Sequence, residues 1–377
     1  MPSQSALFQP LVLRNLQLTN RIVVSPMCQY SAEQGCATNW HLIHLGQLVQ
    51  GGAALTFIEA TAVSAEGRIT PGCLGLYDDA CEAALAHVLR AIRPHAQGAI
   101  GMQIGHAGRK ASSAAPWLGG QQIALADGGW QALAPSAVPH REGEQAPRAM
   151  TEADLAKLVA DFVATTQRAA RLGLDALELH AAHGYMLHEF LSPVSNHRDD
   201  SYGGSLAHRM RAPLRVFDAV RAAWPAHKPL GVRISATDWL EHTGQPSWTI
   251  DDSIAFAQEL KARGCDWIDV SSGGISGQQR IALKPGYQVH LAEQVKRALN
   301  MPVMSVGLIT EPQQAENIVA NGQADLVALA RGILWNPHWP WRAAAELGAQ
   351  LTPPPQYARA APREHAQALN TKGFGMR

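Results

Sequence analysis

Short runs of aliphatic and β-branched residues recur along the chain, each followed by a longer stretch whose apolar positions repeat at helical spacing. The runs predict eight strands, at 22–25, 55–59, 99–104, 176–179, 230–234, 267–270, 303–306 and 326–329. They are almost continuously apolar instead of alternating, as parallel strands buried on both faces should be. Two intervening helices carry clear boundary signals. One spans 151–172, with Thr151 as cap and acidic residues in its first turn. The other spans 249–263, with Thr249 as cap and Gly264 as stop.

Strand-then-helix alternation repeated eight times predicts an α/β fold, a single (β/α)8 TIM barrel with long βα loops at its C-terminal face. No Gly-x-Gly-x-x-Gly follows the first strand, so the dinucleotide-binding fingerprint of an open sheet is missing. Residues 106–150, rich in Gly, Pro and Ser, and residues 184–206 predict two long loops on the face where barrel enzymes keep their sites. The expected division is a barrel over 1–359 and an irregular C-terminal tail, rich in Pro, Ala and Arg, over 360–377.

Composition narrows the function classes. A 46% hydrophobic content supports a large core and excludes a disordered chain. Lys+Arg and Asp+Glu both total 31, which gives no reason to expect nucleic acid or an anionic membrane as a partner. No apolar run approaches the roughly 20 residues of a membrane helix, and the first residues lack the pattern of a secretory signal. Five scattered cysteines without a CxxC pair argue against a disulfide framework, a zinc ribbon or an iron–sulfur cluster. A cytoplasmic location is the expectation.

Polar groups gather where the predicted strands end. Ser25-Pro26-Met27-Cys28 ends the first strand, Glu59-Ala60 the second and Gln103 the third. His180 follows the fourth, Arg233 lies in the fifth, and Ser271, Gly307 and Arg331 follow the last three. Gly307 and Arg331 stand where many barrels hold a phosphate, glycine admitting backbone N–H groups and arginine giving a two-pronged grip; each alone also reads as a turn glycine and a surface arginine. Arg233 in an apolar strand needs a negative partner. That partner is either an anionic ligand edge or an internal carboxylate, with Glu59, Glu178 and Asp269 available. Gln103 matches the donor–acceptor edge of a pyrimidine-like ring, or is a core amide satisfied by backbone. Cys28 is either a redox-tuning thiol or inert filler.

His180 and His183 could converge on one carbonyl oxygen as two N–H donors, with Tyr185 beside them as a phenolic proton donor. They could equally be zinc ligands, with Glu178 and His188 near in sequence, or loop histidines satisfied by backbone in a chain with 16 histidines. A zinc-dependent barrel hydrolase and a flavin-binding module without turnover are the competing functions.

The chain resembles the Old Yellow Enzyme family, specifically the class of bacterial xenobiotic reductases and thermophilic-like ene-reductases. The likeness covers roughly 7–359 and rests on Asn20-Arg21-Ile22, SPMCQYSA (25–32), EATAVSAEGRITPGCLGLY (59–77), QIGHAGRKA (103–111), LHAAHGYMLHEFLSPVSNHRDDSYGGS (179–205) and VGLIT (306–310). The larger dienoyl-CoA reductase-like branch needs a cysteine cluster and a second domain that this sequence lacks. The resemblance implies non-covalent FMN, with Ser25, Pro26, Met27 and Cys28 lining its ring, and Ala60, Gln103 and Arg233 contacting the ring's polar edge. Gly307 and Arg331 would hold the phosphate. His180 and His183 would bind a substrate carbonyl, Tyr185 would give the proton, and Tyr30 would line the substrate pocket; no metal is expected. It further implies an NADPH dehydrogenase, taking NADPH in preference to NADH and reducing enones or nitro-olefins by a ping-pong course, in a homodimer or homotetramer. Gln356-Tyr357-Ala358-Arg359 matches a segment whose arginine, in this class, reaches a neighbouring active site, but Ala360 stands where an aromatic residue is usual.

Overall fold

The computed structural model describes residues 5–371. Eight parallel strands close into a barrel: β1 (Ile22–Val24), β2 (Leu55–Ala62), β3 (Ala99–Gly105), β4 (Ala176–Ala181), β5 (Leu230–Ser235), β6 (Trp267–Ser271), β7 (Val303–Ser305) and β8 (Leu326–Leu329). Each neighbours the next in sequence, and β8 pairs with β1 through Val327↔Ile22 to complete the ring. All eight predicted strands are present. Ser25 and Val306 fall just beyond the pairing, and β2 runs on to Ala62 through an irregularity between Ile58 and Thr61.

The helices are α1 (Asn39–Val49), α2 (Asp79–Ile92), α3 (Glu152–Arg171), α4 (Met186–Leu191), α5 (Leu206–Ala223), α6 (Ile250–Ala262), α7 (Val289–Ala298), α8 (Pro312–Ala320), α9 (Arg331–Trp335) and α10 (Trp339–Leu347). The caps read from sequence are made. Thr151 and Asp154 form a reciprocal capping box at α3, as do Thr249 and Asp252 at α6, each satisfying N–H groups that a helix start leaves orphaned. Gly264 takes φ +87°, the left-handed turn that ends α6. Leu155, Leu158, Phe162, Thr165, Thr166 and Ala169 bury one face of α3, which fixes that helix on the barrel wall.

Inside the barrel the register sets Gln103 beside Glu178 and Gly231 beside Trp267. A Cβ on Gly231 would lie 1.9 Å from the Trp267 ring, so only glycine lets this indole fill the interior. Glu178 accepts from Trp267 Nε1 at 3.0 Å and from Gln103 Nε2 at 2.9 Å. A hairpin of Leu11–Leu13 and Leu16–Leu18 closes the N-terminal end, where Leu13 and Leu18 pack with Phe57, Trp267 and Met304.

The two long loops carry more structure than their composition predicts. Residues 106–150 hold three short 3-10 turns and a small parallel pair, Leu133–Ala134 with Arg148–Ala149. The stretch after β4 forms α4, all six residues of which are buried. After α10, 3-10 turns occupy Pro355–Tyr357 and, within the tail, Arg363–Ala368, and Leu369 bridges back to Leu351. The tail expected over 360–377 runs past residue 371, beyond the described residues.

Candidate active site

Arg233 lies in β5 between His180 of β4 and Asp269 of β6, its register partners on either side. Its Nε donates to Asp269 Oδ2 at 2.6 Å, and Nη2 pairs with the same oxygen. Nη2 also donates to Ser25 Oγ at 2.9 Å, and Glu178 Oε1 stands 3.8 Å from Nε. Of the negative partners the sequence offered, Asp269 and Glu178 are thus realised. Glu59 is not: it accepts from the Gln29 backbone at 2.9 Å and faces His41 Nε2 at 3.3 Å. Burial alone would pull the guanidinium down, but Asp269 and then Glu178 reverse this and keep it charged. Burial raises both carboxyls, with Arg233 opposing.

A cavity above this pair is lined on one side by Ser25, Pro26, His183 and Arg233, and on the other by Gly307 and Arg331. Gly307 has φ +126°, and a Cβ there would lie 2.9 Å from Gln288 Nε2 and 3.1 Å from Tyr287. The backbone 306–310 therefore forms a cradle only while residue 307 has no side chain. An elongated ligand with a polar ring at Arg233 and a phosphate at Gly307 and Arg331 matches this set of donors. FMN fits the residues present.

A second cavity is lined by Ala60, His180 and Tyr185, and His180 touches His183 of the first at 3.3 Å. The β2 irregularity turns the chain at Ala60 toward it. His180 Nδ1 accepts from the Ala182 backbone at 3.2 Å, which leaves the proton on Nε2. That proton faces His183 Nδ1 at 3.3 Å, and His183 Nε2 then donates to Ser271 Oγ at 2.6 Å. The two donors expected to share one ligand oxygen are here in series, and a carbonyl arriving between them would compete with the His183 and Ser271 contacts. His183 sits at φ +59°, a conformation rare for a side-chain-bearing residue, with its N–H held by Ser235 Oγ at 2.9 Å. Tyr185 stands edge-on to His180 with ring centroids 4.8 Å apart. Burial first, then surrounding cations, hold both imidazoles well below their ordinary range, and burial holds the Tyr185 phenol above its own. The pair is neutral at physiological pH and the phenol keeps its proton.

The remaining candidates are placed less directly. Gln103 is buried in the interior layer with Glu178, Met27 packs toward the apolar cluster of Val24 and Leu329, and these two, with Cys28, line none of the cavities described. Burial, then Cys73 and Glu59, raise the Cys28 thiol. Tyr30, at φ +51°, packs edge-on against Trp117 at 5.6 Å and faces a third cavity with Lys110. Among the described residues no group of three or more His, Cys, Asp and Glu could hold a metal ion.

Sequence alone offers His188 only as a possible zinc neighbour and misses Asp238 and the part played by Lys110. His188 and Asp238 form a fully buried pair at 3.1 Å, and His188 Nδ1 accepts from Gly184, pinning the turn that carries His183 and Tyr185. Lys110 Nζ donates to His183 O at 2.9 Å and stands 5.0 Å from the Tyr185 ring centroid. The only hint in sequence is the pair of adjacent cations in His106-Ala107-Gly108-Arg109-Lys110.

Comparison with known proteins agrees with the geometry. Residues 6–350 match the model of the NADH:flavin oxidoreductase / NADH oxidase family. A NADH:flavin oxidoreductase of Gibberella zeae is 43% identical over 358 residues, spanning 91% of this chain and 86% of its own. An NADPH dehydrogenase of Geobacillus sp. (strain WCH70) is 42% identical over 94% of this chain and 98% of its own. Among solved structures, morphinone reductase in complex with tetrahydroNAD aligns with a TM-score of 0.74 at 27% identity, covering 98% of this chain and 99% of that one. A 2-naphthoyl-CoA reductase shares the fold, with a TM-score of 0.81 at 22% identity, over 97% of this chain and 56% of that longer one. No helix among the described residues is long and apolar enough to cross a membrane.

Proposed function

This chain belongs to the NADH:flavin oxidoreductase / NADH oxidase family, the Old Yellow Enzyme group, and we propose that it is an ene-reductase acting on the C=C bond of α,β-unsaturated carbonyl or nitro compounds. At the coarser level it is an FMN-dependent oxidoreductase that works with a nicotinamide. Bound FMN supplies the hydride relay between nicotinamide donor and alkene. The observation that carries the finer reading is the neutral His180–His183 pair beside Tyr185, opening next to the cavity of Arg233, Gly307 and Arg331.

In this reading Ser25, Pro26, Met27 and Cys28 would line the ring, Ala60 and Gln103 would meet its polar edge and Arg233 its most negative part, although Met27, Cys28 and Gln103 border neither cavity as it stands. Gly307 and Arg331 hold the phosphate. His180 and His183 draw their N–H groups onto the substrate oxygen as negative charge builds there, which stabilises the transition state more than the ground state. Tyr185 Oη, held protonated by burial, gives its proton to Cα. Tyr30 orients the far side of the substrate. Donor and alkene use one site in turn, hence a ping-pong course, with NADPH preferred to NADH. We expect a cytoplasmic homodimer or homotetramer, and Ala360 departs from the motif that would carry Arg359 to a neighbouring active site.

The test is a steady-state panel of cyclohexenone, maleimide and a nitro-olefin against each nicotinamide. Alkene-dependent NADPH consumption with one saturated product per donor is expected. Consumption that depends on oxygen alone, with every alkene returned unchanged, would refute the ene-reductase reading.

A further inference from the structure

The third cavity lies beside the substrate cavity, and Ile69 lines both. Its wall carries Arg109, Lys110, His140 and Arg141 against a single carboxylate, Glu144. Arg109 is only 4% exposed, yet its guanidinium meets no carboxylate: Nη1 donates to Val138 O and Pro139 O at 3.4 and 3.3 Å, Nη2 donates to Ile275 O at 2.6 Å, and Nε is buried without a partner. Lys110 Nζ likewise reaches only carbonyls, His183 O and Gly274 O at 2.9 and 3.3 Å. The Nδ1 of His140 is also buried without a partner.

Two acids lie behind this wall, Glu189 and Asp238, and Asp238 is paired with His188. Glu189 Oε1 accepts the backbone N–H of Arg109 at 2.8 Å, and its other oxygen has no partner. Burial pushes this carboxyl up to about 8, so at neutral pH it is largely uncharged, and only Glu144 and Asp238 remain to offset Arg109, Lys110 and Arg141. Burial also brings Lys110 down to about 8, with Arg109 and Arg141 among the cations adding to the fall. Cations kept dry without a counter-charge raise the free energy of the folded chain unless an anion arrives to share the space. The substrate side of the site therefore has a positive flank, with Lys110 Nζ 5.0 Å from the centroid of the Tyr185 ring.

We propose that this cavity is an anion subsite: Arg141, Lys110 and Arg109 bind a carboxylate or phosphate oxygen group carried by the molecule whose other end lies at Tyr185. The inference rests on the reading of the Ala60–His180–Tyr185 cavity as the substrate site. It narrows the substrate class to activated alkenes bearing an acidic group, or else assigns the cations to the 2′-phosphate of NADPH. Arg141 is exposed and its side chain is free to meet the ligand, whereas Arg109 also holds three backbone carbonyls in place.

The probes are cyclohexanone and 3-oxocyclohexane-1-carboxylate, which lack a reducible C=C bond, titrated by calorimetry into the oxidised holoenzyme. The carboxylate is expected to bind at least ten-fold tighter, with a preference that shrinks as salt is raised and falls below two-fold in Arg141→Gln and Lys110→Gln. Cyclohexanone should bind Arg141→Gln as it binds the parent. If NADPH is the source, Arg141→Gln raises KM for NADPH several-fold and leaves that for NADH unchanged. Equal affinity for the two ketones together with unchanged NADPH parameters in Arg141→Gln would overturn the subsite. Anion preference in an enzyme that reduces no alkene would instead remove the ene-reductase reading and leave the subsite standing.

Discussion

Replacing Arg233 with Met keeps much of the side-chain volume and removes the charge. Asp269 and Glu178, both without solvent exposure, then face each other with no cation between them. Breaking a buried pair by deleting one partner costs about 3–5 kcal/mol, because the surviving charge stays dry. Against a total stability on the order of 5–15 kcal/mol this is a large fraction. The carboxyls can escape part of the cost by taking up protons, and that fixes the pH dependence. Both folded-state pKa values are already raised by burial and rise further once Arg233 is gone, while the unfolded values stay near 3.9 and 4.3. Between those limits the folded variant binds more protons than the unfolded chain, so its stability increases as pH falls and decreases as pH rises. Urea unfolding at pH 7.5 and 5.5, followed by tryptophan fluorescence and far-UV circular dichroism, measures this. Arg233→Met should lose several kcal/mol at pH 7.5 and recover on the order of 1 kcal/mol or more at pH 5.5 relative to the parent. A loss below about 1 kcal/mol, or a pH slope identical to the parent's, would show that the arginine is not compensating these acids.

His180→Ala should lower alkene turnover by roughly 10²–10³-fold in a stopped-flow assay, the usual cost of removing one donor to a developing oxyanion. The same variant should resist acid better. The folded state holds this imidazole neutral, so stability is lost as pH falls through the unfolded value of about 6.5, and thermal melts at pH 5 and 8 would register the flatter slope. Gly307→Ala forces a side chain onto a backbone at φ +126° and against Gln288, a strain of about 1–3 kcal/mol; FMN affinity by fluorescence titration should fall roughly ten-fold or more. Thr151→Ala breaks the α3 capping box far from the site, so it should cost about 1 kcal/mol in urea unfolding and leave kcat unchanged.

The barrel was legible because its strands are buried on both faces, which writes them as apolar runs, and because Thr151, Thr249 and Gly264 mark helix ends with local chemistry. The hairpin Leu11–Leu13 and Leu16–Leu18 was not, since three-residue strands leave too short a pattern to read. Position in or just after a strand was legible, and it puts Arg233, His180 and Gly307 on the cavity walls. Their partners depend on register and on loops folding back. The Gly231–Trp267 fit and the His188–Asp238 pair under the β4 turn are contacts across tens of residues with no local trace, and the cations behind Tyr30 leave only the adjacent Arg109 and Lys110. Glu178 shows the boundary: sequence named it as a possible partner for Arg233, and the structure places it nearby while spending its oxygens on Gln103 and Trp267.

All of these roles assume that the cavity over Arg233, Gly307 and Arg331 holds an isoalloxazine mononucleotide. The direct measurement is the absorption spectrum of the native purified protein, before and after anaerobic NADPH. A yellow protein that releases FMN on denaturation and bleaches with the donor is the predicted result; a colourless one that takes up no added FMN would contradict the account.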